Sequence, residues 1–471
     1  MIKLRKLTIL LLTCIIPIGM SGCSALSSLI PFTPSRNIAD PNTYINEFKD
    51  NRQYATLDSR LQECYGTLYT ALTDGFDTDD TVTIADAGES TSIGIAVELP
   101  IELSSEKDPQ TLYTAFFYDN PQFFYINNTY GLEGYEADGR SHYNKLVFTY
   151  TMNADARKDA KAELDKAVET ILQGVPQTTD QYEIELYLHN KLAVGCTYDT
   201  AAANAGYSSA PNAYTAYGAL VDGQAVCEGY SRAMQLLLNK AGITNTLVIG
   251  ESLSDNEKHM WNLVSINGDF YHLDATWNDS DDQLRHNYFN VTTAQLALSR
   301  RITDGQAGIV NCTATKDNYF YRNGLVIDTY SRQTIAQKIA THIKKGETQI
   351  ELLFAPDKFD NALLFLKNRR AAEEQIGPYL VGSGYSLWEY VLYSDADEHI
   401  LCIRKNHDPN SKAGPQGSCG PASLCDKFTE SLPRQADPHR RCHLRKPPTR
   451  CRCSERKRVP SQSADLPSPA A

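Results

Sequence analysis

Val226-Cys-Glu-Gly-Tyr-Ser-Arg-Ala-Met-Gln-Leu-Leu-Leu-Asn-Lys-Ala-Gly242 is the stretch whose reading decides the fold. It predicts an N-terminal turn, a helix from about Cys227 to Lys240 and a stop at Gly242. A cysteine thus stands where a helix begins, and there the unpaired backbone N–H groups and the helix dipole favour a thiolate. Three strand-like runs follow at 245–250, 259–266 and 269–276, the last two joined by Asn267-Gly268, a strong hairpin signal. A two-residue turn pairs Ile266 with Asp269; counting outward, Asp274 falls opposite Trp261 and His259 opposite Thr276. His259 and Asp274 are then diagonal neighbours on one face of the hairpin, within reach of each other.

Cysteine on a helix, histidine and aspartate on strands make up the pattern of nucleophile, base and orienting group. A free thiol is mostly protonated at neutral pH, so an imidazole must take its proton and return it to a leaving amine. The carboxylate holds the other ring nitrogen and fixes the tautomer. A backbone N–H at Cys227 would meet the developing oxyanion, with a second donor the sequence does not identify.

Gly223-Gln-Ala-Val-Cys-Glu-Gly-Tyr-Ser231, His259-Met-Trp-Asn262 and Tyr271-His-Leu-Asp-Ala-Thr-Trp-Asn-Asp279 resemble the three motifs of the transglutaminase-like, papain-related superfamily. The nearest resemblance is to the bacterial branch described as similar to cytokinesis-associated proteins. Leu188-His-Asn-Lys-Leu192, Thr197-Tyr-Asp199 and Tyr217-Gly-Ala-Leu220 resemble that branch too. The clear match covers about 180–290, with looser similarity back to about 45. The resemblance implies an α+β fold with helices packed on an antiparallel sheet, and a Cys227–His259–Asp274 triad acting on amide carbonyls through a thioester. The family includes peptidases, amidases, crosslinking enzymes and members that have lost activity. Here all three positions keep their catalytic residue types.

Tyr198, Tyr230, Trp261 and Trp277 are candidates to line a substrate cleft, with core packing the competing reading for the tryptophans. His189 and His272 read as packed, hydrogen-bonded histidines. Asn278 to Asp282 lacks the later Gly and Glu of an EF-hand loop and reads as a solvated acidic turn. The tail cysteines and histidines match no zinc spacing. No metal and no cofactor is expected.

The rest of the chain divides into unlike parts. Lys3, Arg5 and Lys6 precede an apolar run over 7–20, shorter than the roughly 20 residues a spanning helix needs. With Met20-Ser-Gly-Cys23 it resembles a lipoprotein signal over 1–22, in which Cys23 is acylated, followed by a tether over 23–43. An α/β region is expected over 44–175, with helices in 44–75 and 154–172, a loop over 74–92, and a helix before Pro121 leading into an aromatic strand. The transglutaminase-like domain is expected over 176–295, and a small C-terminal α/β unit over 296–406. Residues 411–471 carry 12 Lys+Arg against 5 Asp+Glu and nine of the 21 prolines, in a chain whose net charge is −12. The segment 407–471 therefore reads as a basic, unfolded extension, native or the product of a reading-frame shift.

An acidic body argues against nucleic acid as a partner. The body cysteines Cys64, Cys196, Cys227, Cys312 and Cys402 are odd in number and widely spaced, which fits buried single thiols plus one reactive thiol. The expectation is an extracytoplasmic thiol enzyme, lipid-anchored to a bacterial membrane. It would hydrolyse or transfer acyl groups on protein or peptidoglycan peptides, with peptidase or amidase chemistry favoured over crosslinking. The rival reading is a non-catalytic surface binding module on the same fold.

Overall fold

The computed structural model describes residues 12–13, 52–85, 89–105, 107–137, 140–280 and 283–406. The lipidation position Cys23, the tether 23–43, most of the leader and the tail 407–471 lie outside the described residues. Leu12–Thr13 pairs antiparallel with Thr129 and Tyr130. No helix among the described residues is long and apolar enough to cross a membrane.

The first described helix, α1 (Ser59–Asp74), starts where the Asp58 carboxylate accepts the N–H groups of Arg60 and Leu61. Its residues Leu61, Cys64, Tyr65, Leu68 and Leu72 recur at three and four and are all buried. The expected loop over 74–92 is instead partly sheet, as β1 (Thr81–Ala85) pairs antiparallel with β2 (Glu89–Leu103). Ser and Thr on these strands are compatible with an edge ladder, and their polarity concealed it. Helix α2 (Lys107–Asp119) ends before Pro121 as expected. The aromatic residues Phe123 to Tyr125 form a turn, and the strand begins only at Ile126. Strands β3 (Ile126–Ala137) and β4 (Arg140–Tyr150) then pair with each other, and β4 with β2.

Helix α3 (Ala154–Leu172) is capped by Asn153. Its Arg157 is fully buried, donating to the carbonyls of Phe76 and Met152 at 2.9 and 2.8 Å and lying over the Tyr150 ring. A buried guanidinium is tolerable because its donors are satisfied. Helices α4 (Gln181–Gly195) and α5 (Cys227–Lys240) follow. The second sheet is antiparallel throughout: β5 (Asn245–Ser252), β6 (Lys258–Ile266), β7 (Asp269–Leu273) and β8 (Arg300–Ile302), in the order β7-β6-β5-β8. Helix α5 packs on β5 and β6. The sheet thus runs past residue 295 to Ile302.

One contiguous core joins the N-terminal region to this layer, from Leu68, Phe116 and Phe148 to Leu188, Tyr230 and Leu237. The C-terminal unit has its own core, centred on Ile335, Ile339, Leu352 and Leu401. It is a mixed four-stranded sheet, β9 (Val326–Ile327), β10 (Gln349–Phe354), β11 (Tyr390–Asp395) and β12 (Ile400–Lys405), with the helices Arg332–Lys344, Pro356–Lys367 and Arg369–Leu380. The whole is an α+β fold with a small C-terminal α/β unit.

Candidate active site

The β6–β7 register is the one the hairpin signal predicts, Ile266 with Asp269 through Asn262 with Leu273. Asn267 and Gly268 adopt positive φ, 52° and 92°, as a two-residue hairpin turn of this kind requires. The ladder stops at Leu273, three residues short of the expected strand end at Thr276. Asp274 leaves the strand, its N–H donating to Tyr288 O at 3.0 Å, and it caps the short helix Ala275–Asn278 by accepting the Trp277 N–H at 3.2 Å. It therefore reaches His259 from a helix cap rather than from across the ladder. His259 Nε2 and Asp274 Oδ2 are 2.6 Å apart, both residues buried.

Cys227 occupies the first position of α5 after an extended Val226 that offers no side-chain cap. The first-turn N–H groups near the sulfur have no intrahelical partner. Two features fix this end of the helix. The Ser231 hydroxyl lies 2.8 Å from Cys227 O and 2.9 Å from Met260 O, tying α5 to the strand that carries His259. At Gly229 a Cβ would sit 2.4 Å from Ala213 O, so only glycine lets the helix approach that loop. The Cys227 thiol and the His259 ring line the same cleft, close enough for the sulfur to act on the charge of the ring. With Nε2 taken by Asp274, Nδ1 is the nitrogen left for sulfur.

Burial works against charge on His259, but the Asp274 carboxylate and the contact with Cys227 outweigh it and raise its pKa to about 9. Burial likewise pushes Asp274 upward, and His259 and Arg300 more than offset it, holding the carboxyl below its usual range. Arg300 lies on β8 and is itself buried. Its guanidinium stacks over the Trp277 ring at 3.9 Å and near Tyr288 at 4.9 Å. No motif in the sequence ties it to the triad, in a region, 291–330, whose pattern is less readable than that of the strands before it.

Of the four cleft candidates, Tyr230 and Trp261 are wholly buried and cannot touch a substrate. Tyr230 donates its hydroxyl to Asp279. Trp261 donates to His272 Nδ1 at 3.1 Å and stacks on His259. Trp277 is 37% exposed and meets the His259 ring edge-on, and Tyr198 is 38% exposed. Strand Thr197–Tyr198 pairs with Gln224–Ala225, just before Cys227. His189 and His272 are buried in hydrogen bonds, and burial lowers their pKa values to about 3 and about 4. Asn278 is also buried, its amide spanning His189 and the Tyr288 N–H. Residues 281–282 of the expected acidic turn lie outside the described residues.

A cleft of about 290 Å³ opens on Cys227 and His259. Its walls include Phe117 and Phe124 from the N-terminal region, Tyr207 and Tyr214 from the loop before α5, and Ile249 and Met260 from the sheet. These liners were not foreseen. Phe117 and Phe124 stood in a visibly aromatic stretch, but nothing tied it to the thiol, and Tyr207 and Tyr214 sit in a loop of small residues. Among the described residues no group of His, Cys, Asp or Glu could hold a metal ion. Cys64, Cys196, Cys312 and Cys402 are buried free thiols, and Cys227 is partly exposed.

Residues 169–275 match the transglutaminase-like superfamily. The chain carries a transglutaminase-like domain. Among solved structures, the chain is similar to a transglutaminase, at 15% identity and a TM-score of 0.23, over 39% of this chain and 50% of that one. A candidate cysteine protease from Cytophaga hutchinsonii matches at 13% identity and a TM-score of 0.22, over 44% of this chain and 70% of that one. The chain thus spans half the length of the transglutaminase it matches. Comparison with curated proteins finds no match. The transglutaminase-like fold is that of a thiol-dependent enzyme family.

Proposed function

We propose that the chain is a cysteine-dependent amide hydrolase or acyltransferase acting on peptides through a thioester. The observation that carries this reading is the His259 ring, held at Nε2 by a buried carboxylate and sharing one cleft with a thiol at a helix N-terminus. Cys227 is the nucleophile. Its proton passes to His259 as sulfur attacks the carbonyl carbon, and the first-turn N–H of Cys227 faces the charge that develops on oxygen. His259 then protonates the leaving amine as the C–N bond breaks, and Asp274 steadies the imidazolium. Water completes hydrolysis, or a second amine completes transfer. Hydrolysis is favoured because it asks for no separate amine site.

The leader motif supports export and anchoring through Cys23, and hence protein or cell-wall peptides outside the cytoplasm as substrates. The test is alkylation of Cys227 with iodoacetamide across pH, alongside mass spectrometry of peptide mixtures with and without a primary amine. Fast labelling that disappears in His259→Ala, together with new peptide termini or amine adducts, is the expected result. Slow labelling, insensitive to His259, would instead indicate a binding module.

A further inference from the structure

The cleft beside the thiol is not built by the transglutaminase-like domain alone. Helix α5 continues from Cys227 into Glu228, whose carboxylate pairs with Arg232 one turn on, at 2.9 Å. Arg232 also donates to Phe117 O at 2.8 Å, and Gln235 to Tyr118 O at 2.5 Å. Those carbonyls belong to the last turn of α2 and have no partner within their own helix. The nucleophile helix is thus fastened to the end of α2, which sets Phe117 against the cleft.

The same bonds decide its character. Glu228 and Arg232 line the cleft, but their charges are spent on each other and on Phe117 O. A charged side chain entering there would lose water and gain no partner in that wall. Lys258 stands exposed on the sheet side of the cleft. The surface beside Cys227 and His259 is otherwise dominated by rings and aliphatic groups, with Tyr207 and Tyr214 packed edge to face at 5.5 Å. Edges and faces of this kind suit an aromatic guest. A volume of about 290 Å³ lies at the lower limit of the roughly 300–1,000 Å³ that admits a drug-sized molecule. It fits one bulky side chain, not a length of polymer.

We infer that this cleft is the subsite for a large apolar side chain, aromatic foremost, flanking the amide presented to Cys227. The substrates are then protein segments bearing such residues, in preference to short wall peptides made mainly of alanine and charged residues. The inference rests on the thiol-enzyme reading and narrows it.

The experiment uses the full chain and an alanine-rich peptide series carrying Phe, Ala or Glu at each position around one central amide, read by mass spectrometry. Iodoacetamide labelling of Cys227, which needs no subsite, is followed in parallel. Phe at one flanking position should raise kcat/KM about tenfold or more over Ala, the scale of discrimination that an apolar pocket provides. Tyr214→Ala should erode that preference, and Ile249→Phe, which fills the cleft, should bring the Phe/Ala ratio in kcat/KM down to about one. Equal turnover of all three peptides, or a preference for Glu through Lys258, with His259-dependent labelling intact, would overturn the subsite and leave the enzyme reading standing. Cys227 that labels slowly and without dependence on His259 would remove both.

Discussion

Arg300 Nη2 stands 3.8 Å from Asp274 Oδ2, the same oxygen that meets His259 Nε2 at 2.6 Å. One buried carboxylate oxygen is thus shared between an imidazole and a guanidinium. The guanidinium is wedged between Trp277 and Tyr288, so its position is set by stacking as well as by charge. Arg300→Met should cut kcat about tenfold or more and move the acid limb of the kcat/KM profile to higher pH, because burial then acts on Asp274 with less opposition. Arg300→Lys keeps the charge but cannot stack, and should fall between the two. A Met variant whose pH profile matches the wild type would show that Arg300 only packs.

His259 makes a second pH-dependent contribution, of opposite sign. Its pKa in the fold is raised to about 9, above the roughly 6.5 of an unfolded chain. Its stabilisation is therefore complete below about 6.5 and is lost as pH climbs through about 9, a swing on the order of 3 kcal/mol. Urea denaturation at pH 6.5 and pH 10 should show that loss in the wild type and a much smaller one in His259→Gln.

Cys227→Ala should abolish turnover while changing unfolding free energy by about 1 kcal/mol or less, since the side chain is only partly buried and no other cysteine is bonded to it. Activity assays paired with thermal denaturation check both halves. Residual turnover would move the nucleophile elsewhere.

Gly229→Ala places a methyl 2.4 Å from Ala213 O and 2.8 Å from Ala225 Cβ. Backbone cannot yield cheaply there, so a loss of about 1–3 kcal/mol is expected, with slower iodoacetamide labelling because the start of α5 is displaced. Unchanged labelling and stability would show that the loop gives way.

The site was legible wherever local chemistry dictates geometry. Asn267-Gly268 admits one short hairpin, so the register from Ile266–Asp269 to Asn262–Leu273 followed from two residues and left His259 and Asp274 at the same end of it, and Gly242 ended α5 where expected. What could not be read were contacts between segments distant in the chain. Arg300 acquires its role only when β8 pairs with β5, and Phe117 only when Arg232 reaches its carbonyl. Strand β1 and the start of β2 were hidden by the Asp, Gly, Ser and Thr around them, although Val82 and Ile84, and then Ile93 to Leu103, place apolar residues at every second position. The helix Arg332–Lys344 went unread although Ile335, Ile339 and Ile343 repeat every four residues on its buried face.

The fastening of α5 to the end of α2 bears on how this protein can be cut and recombined. A minimal catalytic fragment excised at the family boundaries would bare a broad greasy face and lose half the walls that cradle its guest. Selectivity in such proteins could then diverge by exchanging the leading segment, with the reacting atoms left untouched.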